Sequence, residues 1–203
     1  MRTGPTPGLE QIGGLVQRAQ GGDAAAFEEL VDTYESKIYN YVLRMLGQAE
    51  TAEDVAQETF IKAYSSLASF RGASSFQTWL YRIASNLAID TMRRRKHRQA
   101  SYSLDEPLDI SGGQVERDIE DDAAGPERQL QSAQLQRRVS EAILELSPKL
   151  RTVVILYELQ GLSYEEISEI VGAPLGTVKS RLFNAREHLK KILVDEPDLE
   201  LPR

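Results

Sequence analysis

The chain has no cysteine, only two histidines, a single tryptophan and no apolar run of membrane-spanning length among its 203 residues. Without cysteine there is no disulfide, no thiol nucleophile and no zinc–thiolate site. His97 and His188 stand far apart beside basic residues, so histidine supplies no cluster for a metal ion or for acid–base catalysis. No run of about 18 apolar residues is present to cross a bilayer, and the opening MRTGPTPGLEQ lacks the apolar centre of a signal peptide. That opening also lacks the lysine of a phosphate-binding loop, and no nucleophile–base set is apparent elsewhere. The expectation is a non-enzyme of the reducing cytoplasm, with no cofactor and no membrane contact of its own. What is present is a 41% hydrophobic fraction, enough to pack cores in one large domain or two small ones.

The net charge of −7 argues at first against a nucleic-acid ligand. Its distribution removes that objection. Between Ser101 and Leu130 nine acidic residues face two arginines, so this segment carries the whole excess and the remainder sums to zero. Immediately before it lies the basic run RRRKHR, Arg93 to Arg98. Charge asymmetry of this kind is more informative than the total.

The acidic segment also holds Pro107, Gly112, Gly113, Gly125 and Pro126 and has no apolar period, which marks a flexible linker between two helical blocks. In the first block Leu9, Ile12, Leu15 and Val16 predict a short helix ended by Gly21–Gly22. Asp23 is placed to cap a long helix that ends at Gly47. Thr51 with Asp54 suggests an N-terminal box for a third helix, and Ser74 with Gln77 one for a fourth. In the second block, helical spacing begins near Gln131, and Ser147–Pro148 opens a further helix ending at Gly161. Ser163 with Glu166 makes a capping box, Gly172 a stop, and Thr177 a candidate cap for the last helix. No segment alternates with period two. The fold class is all-α: two small helical domains joined by the acidic linker.

The last two helices have the layout of a helix–turn–helix. At about 100° per residue, Val178, Leu182, Ala185 and Leu189 form one narrow apolar stripe, with Ser180 and Asn184 opposite and Thr177 and Phe183 at the edges of that outer face. Lys179 and Arg186 lie on a flank suited to phosphates, while the polar face suits base edges. An amphipathic helix with a solvated basic face has the same gross pattern; cap, turn, stripe and flank together favour the DNA-reading alternative.

One stretch, SFRGASSFQTWLYRIASN from Ser69 to Asn86, gathers three of the five phenylalanines and the tryptophan. Phe76, Trp79, Leu80, Ile83 and Leu87 fall at core spacing, with Trp79 at the edge of the stripe. Arg82, Asn86 and Arg93 share the adjoining flank, and Phe70 and Arg71 precede the helix in a loop.

Three motifs, AEDVAQETFIKAY, FRGASSFQTWLYRIASNLAIDTMRRR and LSYEEISEIVGAPLGTVKSRLFNARE, in this order and spacing, resemble bacterial RNA polymerase sigma factors of the extracytoplasmic-function type. The resemblance implies a region 2 domain over residues 1–98, a linker over 99–131, a region 4 domain over 132–195 and a tail over 196–203. It implies that Asp54, Gln57, Glu58, Ile61 and Lys62 dock on the β′ coiled coil of core polymerase, and that the second domain also touches the β flap. Phe70, Arg71, Trp79, Arg82, Asn86 and Arg93 would serve the minus-ten element, with Phe70 and Asn86 in the pocket for a flipped base of the single strand and Trp79 weighed between core packing and strand separation. Thr177, Lys179, Ser180, Arg181, Phe183, Asn184 and Arg186 would read duplex DNA at the minus-thirty-five element, Arg181 from a position beside the core stripe. Asn184 departs from the basic residue of the family at that position; asparagine suits adenine, whereas arginine suits guanine. The acidic linker would thread the polymerase cleft toward the RNA exit path, and an anti-sigma protein is the expected regulatory partner. The competing reading is a stand-alone helix–turn–helix regulator that binds operators without polymerase.

Overall fold

The computed structural model describes residues 8–102 and 126–194. The expectations placed on the opening residues, the body of the acidic linker and the 196–203 tail fall outside them. Helix α1 spans Leu9–Gln20, α2 Ala24–Leu46, α3 Ala49–Ser66 and α4 Phe76–Tyr102, with a 3₁₀ turn at Leu67–Ser69 between the last two. Helix α5 spans Pro126–Glu145 and α6 Pro148–Val154, which runs into a π-helical turn at Ile155–Leu159; α7 covers Tyr164–Val171 and α8 Leu175–Val194. There is no strand among the described residues. Helices α4 and α5 therefore extend into both ends of the 99–131 segment assigned as linker.

Local chemistry accounts for most boundaries. Asp23 accepts the Ala26 N–H at 3.2 Å and caps α2, and the Arg18 guanidinium bonded to it holds its carboxyl below the ordinary range. Gly47 ends α2 in the left-handed region, φ 73°, and its N–H bonds Leu43 O. Ser163 and Glu166 form the reciprocal capping box of α7, and Gly172 closes that helix at φ 59°. Four boundaries differ from expectation. Helix α3 starts at Ala49, so Thr51 is no cap and its hydroxyl instead accepts from Arg95 of α4. Ser75, not Ser74, caps α4 by accepting the Thr78 N–H at 3.0 Å. Ser147 stands before Pro148 without a side-chain cap bond. Thr177 lies inside α8, because the Pro174 carbonyl already accepts from Thr177 and Val178.

The two blocks share one continuous core. Helices α1 to α4 bury Leu30, Ile38, Val42, Met45, Leu80 and Ala84, and Tyr41 packs edge-on against Tyr81 with centroids 5.3 Å apart. Helix α7 packs along α4, while α2 meets α5, α6 and the π turn. Arg151 closes this seam. Its guanidinium donates to Met45 O at the end of α2 (2.5 Å) and to Leu144 O and Leu146 O at the end of α5, so one cation satisfies the terminal carbonyls of helices from both blocks. Burial lowers its pKa. Gly47 lies on the same seam: a methyl group there would come within 2.6 Å of Leu144 Cδ1.

Candidate nucleic-acid interface

Helix α4 sorts its residues by angle. Phe76, Leu80 and Leu87 point inward and Ile83 is half-buried, while Arg82, Asn86 and Arg93 are exposed on the flank. Arg93 meets Asp90 at 3.3 Å. Trp79 is 7% exposed, its ring 5.0 Å from Phe70 and 5.7 Å from Phe76. Burying about 200 Å² of indole stabilises the fold by roughly 5 kcal/mol at ~25 cal/mol/Å², so its position is that of a core residue. Beyond the flank, Arg94, Lys96 and Arg98 of the basic run face solvent, and Arg95 turns inward to Thr51.

The loop before α4 and the flank of α4 open onto different hollows. Phe70, half-buried, and exposed Arg71 line a cavity of about 410 Å³ together with Gln17, Gln20, Ser74 and Glu166. Asn86 lines a second cleft of about 340 Å³ with Lys62, Ser65, Ser66, Ile83 and Asp90. The two share no lining residue. The 3₁₀ turn stands between them, with Ser66 on one side and Phe70 on the other. Asn86 is thus brought together with hydroxyl groups and a lysine, a set of donors and acceptors for a base edge. Glu166, from the first helix of the helix–turn–helix, reaches the Phe70 cavity because α7 lies on α4.

In α8 the stripe packs inward: Val178, Leu182 and Ala185 are buried and Leu189 packs against the same core. Lys179, Ser180, Asn184 and Arg186 are exposed, Thr177 and Arg181 are half-buried, and Phe183 stands 65% exposed. The flank has a support that the helical pattern alone does not reveal. Tyr157 and Tyr164 stack in parallel at 4.9 Å, with Arg186 over the first ring (5.5 Å) and Lys179 over the second (5.6 Å). Glu158 accepts from Arg186 Nε and Nη2 at 2.8 and 2.5 Å and raises the guanidinium pKa further. The π turn places Tyr157 and Glu158 there; the only sign of it in the sequence is two tyrosines seven residues apart.

On α3, Asp54, Gln57, Glu58, Ile61 and Lys62 all face solvent, with Glu58 and Lys62 paired at 3.0 Å. Ile61 is 68% exposed and Tyr64, one turn on, 57%; the sequence pattern alone does not assign Tyr64 to this face. An apolar pair rimmed by charges is a surface suited to a partner. Among the described residues no group of acids and histidines could hold a metal ion, and no helix is long and apolar enough to cross a membrane.

Comparison with known proteins places both blocks. Residues 30–98 match sigma-70 region 2 and residues 136–189 match sigma-70 region 4. The chain is 42% identical over 186 residues to the RNA polymerase sigma-H factor of Pseudomonas aeruginosa, spanning 91% of this chain and 94% of that protein. It is 42% identical over 181 residues to the ECF RNA polymerase sigma factor SigW of Bacillus subtilis, spanning 89% and 95%. A solved complex of the sigma factor RpoE with the anti-sigma factor NepR from Bartonella quintana superposes with a TM-score of 0.62 at 25% identity, covering 85% of this chain and 98% of that one.

Proposed function

The chain belongs to the RNA polymerase sigma factors, in their extracytoplasmic-function group, and from that premise we propose that it binds core polymerase in the cytoplasm and lends it promoter specificity without chemistry of its own. The observation that carries this reading is that both sigma regions are present, in order, at 42% identity over nine-tenths of the chain. A stand-alone operator-binding regulator has no need of region 2.

The surfaces then take these roles. The α3 face, Asp54, Gln57, Glu58, Ile61 and Lys62 with Tyr64 added, docks on the polymerase β′ subunit. The α8 face reads the minus-thirty-five duplex, with Asn184, Ser180 and Phe183 toward base edges and Lys179 and Arg186 toward phosphates. The Asn86 cleft and the Phe70 turn take an unpaired minus-ten base, with Arg82, Arg71 and Arg93 along the strand. Unstacking a base costs a few kcal/mol, which stacking and hydrogen bonds in a pocket offset. Trp79 acts from beneath, as the platform of Phe70.

The closed seam adds a requirement. The two elements are centred roughly 25 base pairs apart, about 85 Å of B-form DNA. Two domains in direct contact through Tyr81, Gln160, Arg151 and Met45 do not reach both at once. The residues between Tyr102 and Pro126 extend to at most about 80 Å, and the widths of the domains supply the rest. Promoter engagement therefore separates the domains. A partner that binds the closed form more tightly than the open one opposes initiation.

Titration of the labelled protein with core polymerase tests the premise. A saturable one-to-one complex is expected, weakened at least tenfold by the double substitution Ile61→Asp, Tyr64→Asp, which removes the buried anchors of an interface. Tight footprinting of duplex DNA by the free protein, with no complex formed with core, would establish the operator-binding alternative.

A further inference from the structure

We propose that Gln20, the last residue of α1, is a positioning residue for base capture: its amide holds the turn that separates the two hollows of the minus-ten site. This rests on the assignment of the Asn86 cleft and Phe70 to an unpaired base. Gln20 Nε2 donates to Leu67 O at 3.0 Å and to Phe70 O at 2.7 Å, the first residue of the 3₁₀ turn and the residue at its exit. Both partners are carbonyl oxygens, so only the NH₂ end of the amide can face them, and both its protons are used. The orientation of Gln20 is therefore fixed by chemistry.

Leu67 anchors the start of the turn in the core, and the Phe70 ring packs at its exit, but few other hydrogen bonds fix the main chain between them. Phe70 N–H bonds back to Leu67 O, and Ser69 Oγ donates to Ser66 O. From Arg71 to Ser74 no main-chain group bonds another among the described residues, and Gly72 sits at φ 70° in open space. The chain thus leaves the turn without a ladder, and the last main-chain atom tied down before α4 begins is Phe70 O, held by Gln20. Two side chains depend on that anchor. Ser66 faces the Asn86 cleft from the near side, and the Phe70 ring leans on Trp79 and Phe76 from the far side. A swing of the turn about Leu67 would change the width of the cleft and the reach of the ring together.

Gln20 also lies outside residues 30–98, the part that matches sigma-70 region 2. Helix α1 therefore contributes to the minus-ten site from beyond the matched domain. Its own register is set independently: Ile12, Leu15, Val16 and Ala19 are buried, and Gly21 ends the helix directly after Gln20. Gln20 itself is exposed, so its replacement removes two hydrogen bonds and no core packing.

The test uses the full chain assembled with core polymerase. A single-stranded DNA is first selected from a randomised library on the wild-type complex, then remade with 2-aminopurine at each position in turn to find the base whose fluorescence changes on capture. Gln20→Met keeps the length and neutrality of the side chain and loses both donors. It is expected to bind the strand about tenfold more weakly and to lose the 2-aminopurine signal, with no more than the small fall in melting temperature that two lost hydrogen bonds bring, and with affinity for core and affinity for upstream duplex unchanged. Phe70→Ala, run in parallel, is expected to lose the signal as well. If Phe70→Ala captures the base and Gln20→Met does not differ from wild type, the pocket assignment falls and the role of Gln20 with it. If Phe70→Ala fails and Gln20→Met behaves as wild type, the pocket stands and the positioning role is overturned. A loss of core affinity with Gln20→Met, or a loss of strand binding that follows only from unfolding of the chain, would make its role structural, which also overturns the proposal.

Discussion

Tyr81 of α4 donates its hydroxyl hydrogen to Gln160 Oε1, 2.6 Å away across the seam between the two domains. The same seam holds the Arg151 guanidinium on carbonyls of α2 and α5. These polar contacts add to the shared apolar core in holding the closed arrangement, and each leaves a group in the other domain without its partner when broken. Tyr81→Phe deletes a bond worth about 1 kcal/mol and shifts the open-to-closed ratio about fivefold toward open. The chain has no cysteine, so a pair introduced as Glu35→Cys and Lys190→Cys, on α2 and α8, can be labelled for energy transfer. Lower transfer efficiency in the Tyr81→Phe background is the expected result, and unchanged efficiency would remove this bond from the account of closure. Arg151→Ala leaves the helix-end carbonyls without a donor and is expected to lower stability by about 2–3 kcal/mol.

The edge-on pair of tyrosines, Tyr41 and Tyr81, gives the fold a pH limit. Burial is the main cause that lifts the pKa of each above the ordinary 10.0, and in Tyr41 it outweighs the opposing 2.7 Å hydrogen bond with Ser85. Both hydroxyls stay protonated in the folded chain at a pH where the unfolded chain releases its protons. Stability is therefore complete below pH 10 and falls as pH rises above it. Denaturant melts from about pH 8 to pH 11.5 should show this decline, with a smaller slope in Tyr41→Phe. A stability that stays flat across that range would contradict the burial of these hydroxyls.

On α8, positioning and reading should separate. Lys179, resting over the Tyr164 ring, is expected to contact phosphate: Lys179→Ala should weaken binding to all duplex sequences alike and reduce the salt slope by about 1. Asn184→Ala should instead cost about 1–3 kcal/mol against one base pair and relax preference there. Binding isotherms of the holoenzyme on a panel of upstream duplexes, at three salt concentrations, distinguish the two.

Local features are readable in the sequence pattern, and those that join distant segments are not. The cap at Asp23, the left-handed stops at Gly47 and Gly172 and the Ser163–Glu166 box depend on residues within one turn of each other, and they stand where the pattern puts them. The stripe of Val178, Leu182 and Ala185 follows from angle alone. Thr51 defeats a local reading because its hydroxyl answers to Arg95, 44 positions along, which no capping box contains. The seam is hidden for the same reason: Tyr81 and Arg151 look like an ordinary core aromatic and an ordinary helix cation until Gln160 and Met45 are brought opposite them. Phe70 and Asn86 are expected in one pocket, and the structure sets them on either side of a turn, because helical spacing fixes faces of α4 but not the path of the loop before it. Gln20 leaves no mark in the pattern because its partners are main-chain oxygens, which carry no residue identity.

Promoter specificity conferred on core polymerase through two separate DNA contacts is measured most plainly by run-off transcription. Promoters are first selected with the assembled holoenzyme, then transcribed by core alone, by core with the full chain, and by core with a chain ending at residue 131. A discrete transcript is expected only with the full chain, lost when either the upstream or the minus-ten element is scrambled, with core binding retained by the shortened chain. No specific transcript from any selected promoter, with core binding intact, would contradict the assignment.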